Sequence, residues 1–325
     1  MRYGGRELRF GLFLAPMAGF TDYGMRAVCR EMGAEVTVTE MVSAKAVAYR
    51  DKKTASLARI YEGEAPCALQ IFGAEAETLA HAASLLEAGV DGGIPPTAID
   101  INMGCPVQKV YGNGEGSALM RDPEQIYRIL RAVTAAVSLP VSVKLRAGLD
   151  PSRKNAVECA LAAEAGGAAL VAVHGRTRSE MYSGRADREI IRRVKEALSV
   201  PVIANGDITS GEEALSMLRE TGADGLMIGR GAVGNPFLFG EIRAALAGEA
   251  YRPPSAEERI ETAMRQLSLS VQDKGEALAV REARGTLGQY LRAFRGAAAL
   301  RARIHLAETV EDVTSVFREA LLSEI

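Results

Sequence analysis

Cysteine is scarce in this sequence, and its spacing excludes two common roles for it. Only four cysteines occur among 325 residues, and no two of them form a C-x-x-C pair. Structural zinc sites and disulfide frameworks depend on paired or closely spaced cysteines. The sequence therefore predicts neither a metal site nor a disulfide, and it is typical of a protein from a reducing compartment.

Long hydrophobic runs and a strong net charge are absent as well. No stretch approaches the roughly 18 uninterrupted apolar residues of a membrane span, and residues 1–10 lack the apolar core of a signal peptide. We therefore expect a soluble, cytoplasmic protein. The formal net charge is −2, so any surface that binds nucleic acid must be a local patch. With 48% hydrophobic and 25% charged residues, the composition is globular.

Short apolar runs alternate with longer helical patterns along the first two thirds of the chain. The predicted strands are Leu12–Pro16, Glu35–Glu40, Pro66–Phe72, Ala98–Asn102, Val141–Leu145, Ala168–His174, Val202–Asn205 and Asp224–Ile228. The helical patterns include Glu75–Glu87, Pro123–Val137, Ala156–Ala165 and Gly211–Thr221. Continuously apolar strands are typical of a parallel sheet covered on both faces. Eight such units in about 235 residues predict a TIM (β/α)8 barrel, with a doubly wound sheet as the alternative.

The pattern changes after Phe239. Gly248 and the pair Pro253-Pro254 indicate a linker, and helical periodicity without strands continues to Ile325. We predict two domains, a cofactor-binding TIM barrel over residues 1–245 and a C-terminal helical bundle over residues 246–325.

Mostly polar residues stand at the ends of the predicted strands, where TIM barrels place their functional groups. They are Pro16, Met17 and Ala18, then Gln70, Asn102, Lys144 and His174, then Asn205, Gly206 and Asp207, and finally Gly229 and Arg230. Each alone has an ordinary structural explanation, such as a turn or a hydrogen-bonded core side chain. Their shared position predicts a ligand site, because polar groups on buried strands are costly without a partner.

The last two strand ends have the composition of a phosphate site. TIM barrels often bind phosphate with the loops after strands seven and eight. Glycines there let backbone N–H groups approach an anion, and Arg230 adds a fork of charged donors. The G-x-G-x-x-G match at residues 229–234 is weak as a dinucleotide signal, because no further βαβ pattern follows it.

Lys144 and Cys105 are the candidate chemical groups. A fixed cation suits a flavin, because the reduced isoalloxazine gathers negative charge near N1 and C2=O. A Schiff-base lysine of an aldolase is the alternative interpretation of Lys144. Cys105 lies between Gly104 and Pro106, and the glycine-rich segment 112–116 follows it, which indicates a loop that can close over a substrate.

Five motifs together resemble the bacterial, FMN-dependent tRNA-dihydrouridine synthase family. They are LAPMAGFTD at 14–22, DINMGCP at 100–106, HGRTR at 174–178 with YSG at 182–184, NGD at 205–207 and DGLMIGR at 224–230. The resemblance extends from about Leu12 to Arg303, in the family's order and spacing. It implies that NADPH supplies electrons, that FMN carries them, and that a uridine of tRNA accepts them.

The resemblance also implies roles for individual residues. FMN is expected at Pro16, Met17, Ala18, Gln70, Lys144, His174, Asn205, Gly206, Asp207, Gly229 and Arg230. Cys105 is the implied proton donor, and general chemistry agrees, because a thiol with a pKa near ~8.5 is protonated at neutral pH. The implied substrate and RNA contacts are Asn102, Arg176, Arg178, Tyr182, Arg188, Arg284, Arg292 and Arg295.

The C-terminal region carries the local positive charge that the whole chain lacks. Residues 281–303 contain six arginines and a single acid, Glu282. This segment resembles the family's tRNA-binding helix, and its charge suits an RNA backbone. The chain has no tryptophan, although many family members carry one where Arg188 and Gln289 stand. A monomer is consistent with the sequence.

Three other functions remain open from the residues alone. An FMN reductase of a small molecule, of dihydropyrimidine or enoate type, would share the phosphate loops and Lys144 but would not need the arginine-rich helices. A phosphate-binding lyase or isomerase would contain no flavin. An RNA-binding protein without catalysis would not need Cys105 or Lys144.

Overall fold

A closed ring of eight parallel strands forms the centre of the computed structural model, which describes residues 1–90 and 92–323 apart from the side chains of residues 52, 53 and 55. The strands are β1 (Leu12–Leu14), β2 (Thr37–Val38), β3 (Cys67–Phe72), β4 (Ala98–Asn102), β5 (Val141–Arg146), β6 (Leu170–His174), β7 (Val202–Asn205) and β8 (Gly225–Ile228). Strand β8 pairs with β1, and the Leu14 N–H donates to the Val36 carbonyl between β1 and β2. The predicted TIM barrel is confirmed, and this closure excludes a doubly wound sheet.

The second strand differs most from its prediction. The pattern predicted Glu35–Glu40, whereas β2 covers only Thr37–Val38 and a separate short strand, Val42–Ser43, pairs with the end of β3. Between the two, the backbone N–H of Gln70 donates to the Thr39 hydroxyl. A side-chain oxygen thus replaces a ladder carbonyl, which is a change that an apolar pattern does not reveal.

Ten helices surround the strands in the described part of the barrel. They are α1 (Tyr23–Glu31), α2 (Ala44–Ala48), α3 (Lys52–Ala58), α4 (Ala76–Leu86), α5 (Gln108–Tyr111), α6 (Pro123–Ala136), α7 (Ala156–Ala165), α8 (Arg188–Ala197), α9 (Gly211–Thr221) and α10 (Leu238–Ala247). Side-chain oxygens of Asp22, Asp122, Asp187 and Ser210 cap α1, α6, α8 and α9. Their amphipathic faces bury apolar residues against the strands.

The N-terminal hairpin, formed by Arg2–Tyr3 and Arg6–Glu7, closes the lower end of the barrel. Tyr3 is buried there and packs edge-on against Phe13, with 5.5 Å between the ring centroids. Leu8, Val36 and other apolar side chains complete this inner cluster. Because the N-terminal end is filled, the open end of the barrel is the one where the strands finish.

Four further helices follow residues 248–255. They are α11 (Ala256–Lys274), α12 (Glu276–Tyr290), α13 (Ala297–Ile304) and α14 (Val310–Leu322), and they enclose their own apolar core. The last barrel helix ends at Ala247, close to the predicted boundary at 245, and the predicted bundle's final residues, 324 and 325, lie outside the described residues. Across residues 1–90 and 92–323, none of the helices has the length and apolar content to cross a membrane.

The helical bundle is attached to the barrel through α1. A Cβ at Gly24 would lie 2.4 Å from the Gln266 carbonyl oxygen, so only glycine allows α11 to approach α1 so closely. The Asp22 carboxylate accepts hydrogen bonds from Ser270 and Lys274, each at 2.8 Å. These contacts place the bundle at the open end of the barrel, next to strands β8 and β1.

Candidate active site

A cavity of about 950 Å³ opens where the strands finish. This volume lies at the upper end of the range of about 300–1,000 Å³ for small-molecule and cofactor sites. All eleven predicted cofactor residues line it, from Pro16 to Arg230. Of the predicted chemical and RNA residues, Cys105, Asn102, Tyr182 and Arg292 also line it.

The cavity contains residues that the sequence prediction missed. Arg146 is one, although it lies two residues beyond Lys144 on the same strand, and alternation within a strand points both to the same side. The alternation of side chains along this strand could therefore have identified Arg146 from the sequence. Arg259, Gln289 and Tyr290 reach the cavity from the helical bundle, and nothing local in the sequence indicates that approach.

A chain of buried hydrogen bonds crosses the barrel below the cavity. The Tyr3 and Ser142 hydroxyls are 2.9 Å apart, and Ser142 donates to Asp100 at 2.6 Å. The Gln70 amide nitrogen donates to Asp100 at 2.7 Å, and Asn102 donates to the Gln70 Oε1 at 2.8 Å. This network holds the amides of β3 and β4 in fixed orientations.

The backbone of Cys105 is held on both sides. Its N–H donates to the Asn102 Oδ1 at 2.9 Å, and its carbonyl accepts the Ser117 hydroxyl at 2.8 Å. Arg146 adds a hydrogen bond from its Nε to the Gly104 carbonyl at 2.8 Å. The Cys105 side chain is half-buried and lines the cavity, whereas Cys29, Cys67 and Cys159 are buried in the core.

Burial raises the pKa of the Cys105 thiol above its ordinary value. The N–H of Val107 and the positive charge of Arg146 oppose this shift without cancelling it. The thiol is therefore protonated at neutral pH and can act as an acid. The same cations would stabilise the thiolate that remains after a proton has been given away.

Lys144 and His174 provide polar groups of different charge. Burial, and next to it the neighbouring Arg146, lowers the pKa of Lys144 to about 8. Within the described part of the chain, no side chain or carbonyl accepts a hydrogen bond from Lys144. Burial and the nearby cations, Lys144 first, keep the pKa of His174 well below its usual value. The His174 Nδ1 accepts the Arg176 N–H at 3.2 Å, so the neutral ring carries its proton on Nε2.

Arg176 holds the loop at the phosphate end of the cavity. The sequence predicted that Arg176 contacts the substrate, whereas its side chain does not line the cavity. Its guanidinium forms a bidentate ion pair with Asp207, at 2.7 and 2.9 Å, and is almost fully buried. Burial would raise the pKa of Asp207, but the hydrogen bonds from Arg176 and the Ala186 N–H hold it below its usual value. Because Asp207 is neutralised in this way, a phosphate can approach despite the nearby carboxylate.

Arg230 is the exposed cation at the phosphate end of the cavity. Its side chain is 56% exposed and lies 3.8 Å from Asp207, while its guanidinium packs 4.6 Å from the centre of the Tyr182 ring. An exposed guanidinium at the edge of a cavity can turn toward an anion at little cost. Tyr182 is itself 54% exposed, and the guanidinium of Arg146 lies 5.8 Å from the centre of the same ring.

Four other arginines predicted to contact RNA do not line the cavity. Arg188 pairs with Glu220 at 2.6 Å on the outside of the barrel, and Arg284 donates to the Ala307 carbonyl at 2.8 Å inside the bundle. Arg178 donates a hydrogen bond to Gln108 beside the cavity mouth, and Arg295 is not among the residues that line the cavity. The predicted basic segment, residues 281–303, is not one continuous helix, because α12 ends at Tyr290. At its far end, Arg303 pairs with Glu319.

Fold and site together define a TIM-barrel enzyme with basic side chains and a protonated thiol in a cavity at its open end. Residues 13–325 match the family described as dihydrouridine synthase (Dus), and the chain belongs to that family. It is 42% identical to tRNA-dihydrouridine synthase B of Pseudomonas putida over 313 residues, which cover 96% of this chain and 91% of the relative. A probable tRNA-dihydrouridine synthase of Rickettsia conorii is 39% identical, over 94% of this chain and 92% of the relative.

Solved structures support the fold. A histamine dehydrogenase from Rhizobium sp. 4-9 matches with a TM-score of 0.55 at 14% identity, over 83% of this chain and 50% of that one. The 6-hydroxypseudooxynicotine amine oxidase of Pseudomonas geniculata N1 matches at 0.54 with 15% identity, over 74% and 48%. At these identities the likeness concerns the barrel architecture alone.

Family membership brings a flavin cofactor, and the side chains present fit one. Among the described residues the half-buried Lys144 forms no direct ion pair, although Asp100 partly stabilises its charge, so the ammonium group can still bind the electron-rich edge of a flavin. His174 Nε2–H and Arg230 offer donors to a phosphate at the other end of the cavity. Within the described ranges, no group of three or more His, Cys, Asp or Glu side chains could hold a metal ion.

Proposed function

We propose that this protein reduces the C5–C6 double bond of uridines in tRNA to dihydrouridine, with FMN as cofactor and NADPH as reductant, in the cytoplasm. One observation carries the proposal. A protonated thiol, held by its backbone, and a lysine that forms no direct ion pair with a described residue line the same cavity at the open end of the barrel.

Three side chains would hold the cofactor. Lys144 would bind the ring edge that becomes negative on reduction, and His174 and Arg230 would bind the phosphate. The chemistry that FMN supplies when bound is the transfer of a hydride to C6 of the uracil, with electrons from NADPH. Gln70 and the loop from Pro16 to Ala18 would contact the ring system.

Cys105 would complete the reduction as the acid. Once C6 has received hydride, C5 carries the negative charge and must take a proton to become a CH₂ group. The S–H bond of Cys105 breaks, the new C–H bond forms at C5, and the thiolate regains a proton from water. Its raised pKa keeps the thiol protonated before each turnover.

The structure supports a positioning role for Asn102. Its Oδ1 accepts the backbone N–H groups of Gly104 and Cys105, and its amide nitrogen donates to Gln70. Little hydrogen-bonding capacity remains for a substrate. We therefore propose that Asn102 chiefly fixes the Cys105 loop, whereas the exposed ring of Tyr182 and the guanidinium of Arg146 contact the base.

The helical bundle would contribute to RNA binding at the cavity itself. Arg259 and Arg292 line the mouth from α11 and from the turn after α12. A uridine must leave its stack to enter a cavity of this depth, and cations at the rim would bind the adjoining phosphates. A reductase of free small molecules would have no use for such a rim.

The cofactor assignment has a direct test. Purified protein is expected to be yellow and to release one FMN per chain on denaturation, as measured by absorbance and chromatography. Protein that shows no flavin absorbance, even after incubation with excess FMN, would reject the proposed function and return the phosphate-binding lyase to consideration. Reduction of the bound flavin by NADPH and by NADH, compared under anaerobic conditions, tests the choice of reductant.

A further inference from the structure

A group of basic side chains surrounds Tyr111 on the barrel, outside the cavity. The guanidinium carbons of Arg121 and Arg178 lie 4.4 and 3.9 Å from the centre of the Tyr111 ring. Arg153 donates to the Arg121 carbonyl at 2.9 Å, and Lys109 lies on the same short helix as Tyr111. We call Lys109, Tyr111, Arg121, Arg153 and Arg178 the Tyr111 cluster.

The positive charge of the Tyr111 cluster is compensated weakly, through an electrostatic interaction between Arg153 and Asp150. Within residues 1–90 and 92–323, none of its four cations forms an ion pair. The guanidinium of Arg178 binds the neutral Gln108 Oε1 at 2.7 Å, and its Nε is buried without a hydrogen-bond partner. By contrast, Arg192 on α8 pairs with both Glu189 and Glu196.

This arrangement costs energy unless an anion relieves it. Two guanidinium groups that share one ring repel each other, and a buried donor without a partner carries a desolvation penalty. A bound anion would remove both costs. Planar guanidinium forks match the oxygens of a phosphate in particular.

The location of the Tyr111 cluster relates it to the RNA path. Helix α5 begins directly after Val107, which lines the cavity, and Cys105 lies two residues earlier. The cluster follows β4, β5 and β6, whereas the helical bundle packs at β8 and β1. In a ring of eight strands these two positions face each other across the mouth.

We propose that the Tyr111 cluster binds phosphates of the RNA backbone on the side of the cavity mouth opposite the helical bundle, a proposal that rests on the proposed function. The strand that presents the target uridine would then be held on both sides of the flipped nucleotide. The surface is open, with Lys109, Arg121 and Arg153 exposed. Open basic surfaces are typical of backbone binding, whereas a small anion such as the NADPH phosphate needs a concave site.

The test compares tRNA binding by the FMN-loaded variant R121Q/R178Q with the wild type over a range of salt concentrations. The slope of log affinity against log salt is expected to fall by roughly 0.7 to 0.9 for each phosphate that the protein no longer neutralises. The variant K109Q/R153Q is changed only at exposed side chains, and its salt slope should also fall. It provides the test if R121Q/R178Q folds poorly. The matched control is R219Q on α9, an exposed arginine on another side of the barrel, which should leave the slope unchanged.

Three results would overturn the proposal. The first is an unchanged salt slope in both variants. The second is slower turnover with an unchanged slope, which would make the cluster a support for the Cys105 loop. The third is weaker NADPH-dependent flavin reduction with normal RNA binding, which would assign the phosphate to NADPH. A wild-type protein that binds no tRNA would instead reject the proposed function.

Discussion

At the scale of single residues, Cys105 is defined by what surrounds it. Its N–H donates to the Asn102 Oδ1 and its carbonyl accepts the Ser117 hydroxyl, so replacing the side chain leaves the loop supported. We expect Cys105→Ala to keep its flavin and to be reduced by NADPH at the normal rate. Dihydrouridine formation should fall by roughly 10² to 10⁴-fold, the usual contribution of a general acid. Mass spectrometry of digested tRNA measures the product.

Cys159→Ala serves as the matched control, because this buried thiol lies on α7 outside the cavity lining. It should form dihydrouridine at the wild-type rate. Equal rates for wild type and Cys105→Ala would show that another group supplies the proton.

Lys144 gives the site a dependence on pH with a definite sign. Its pKa in the free protein is about 8, so the cation is present below that pH and is lost as the pH rises through it. Loss of the charge removes a charge-assisted hydrogen bond to the cofactor. FMN affinity, measured by quenching of flavin fluorescence, should therefore decline between about pH 7.5 and 9. Because the pKa of His174 is far lower, His174 adds no step near neutrality.

Lys144→Met is the companion variant. It should bind FMN more weakly at pH 7 and should show no decline across the same interval. A wild-type decline that persists unchanged in Lys144→Met would assign the titration to a different group.

Much of the cavity lining could be predicted from residue types alone. Polar side chains that end apolar strands are unusual, and all eleven predicted cofactor residues line the cavity. Arg176 shows the limit of this reasoning, because the motif places it correctly in sequence but not its ion pair with Asp207. The pairing depends on two loops that are 31 residues apart in the chain, and no local pattern reports such a contact.

At the scale of elements, the segment from Cys105 to Ser117 is a folded loop that closes on itself. Gly116 has a φ of +60°, and a Cβ there would lie 3.0 Å from the Cys105 carbonyl oxygen. Gly116→Ala should cost roughly 1–2 kcal/mol of stability from backbone strain alone. It should also displace Cys105, so the rate of dihydrouridine formation should fall although the flavin remains bound. Thermal unfolding and tRNA turnover measure the two effects.

Gly285→Ala provides the comparison for that variant. Gly285 lies within α12, and a Cβ there meets nothing within 4 Å. Alanine in a helix interior is favoured over glycine by about 0.5–1 kcal/mol, so this variant should become more stable. A Gly116→Ala protein as stable and active as wild type would show that the loop is not held as described.

Several helices and strands begin and end where the sequence predicts, and among the strands these are β4 (Ala98–Asn102) and β7 (Val202–Asn205). The predicted Ala156–Ala165 and Gly211–Thr221 coincide with α7 and α9, because helical hydrogen bonds are local and the termini carry caps or glycine. Strand β2 is shorter than predicted because, directly after it, the hydroxyl of Thr39 takes the place of a backbone carbonyl and accepts the Gln70 N–H of the neighbouring β3. Strand limits are therefore set by partners distant in sequence.

At the scale of the whole molecule, barrel and bundle share one cavity. Lys274 on α11 binds both Asp22 of the barrel and Glu282 of α12, and Tyr61 donates to Asp273 at 2.7 Å. These contacts fix the bundle so that Arg259 and Arg292 reach the mouth. The local charge of residues 281–303 predicted a basic surface. The turn after Tyr290 and these contacts between barrel and bundle determine which arginines face the cavity.

The central claim is that a uridine within RNA is the electron acceptor of this cavity. The most direct measurement is a single turnover without oxygen, in which the reduced holoenzyme is mixed with tRNA that lacks dihydrouridine. We expect the flavin to be reoxidised and dihydrouridine to form in equal amount, while free uridine and simple enoates leave the flavin reduced. Rapid reoxidation by a small molecule, with tRNA inert, would contradict the account and identify a small-molecule reductase.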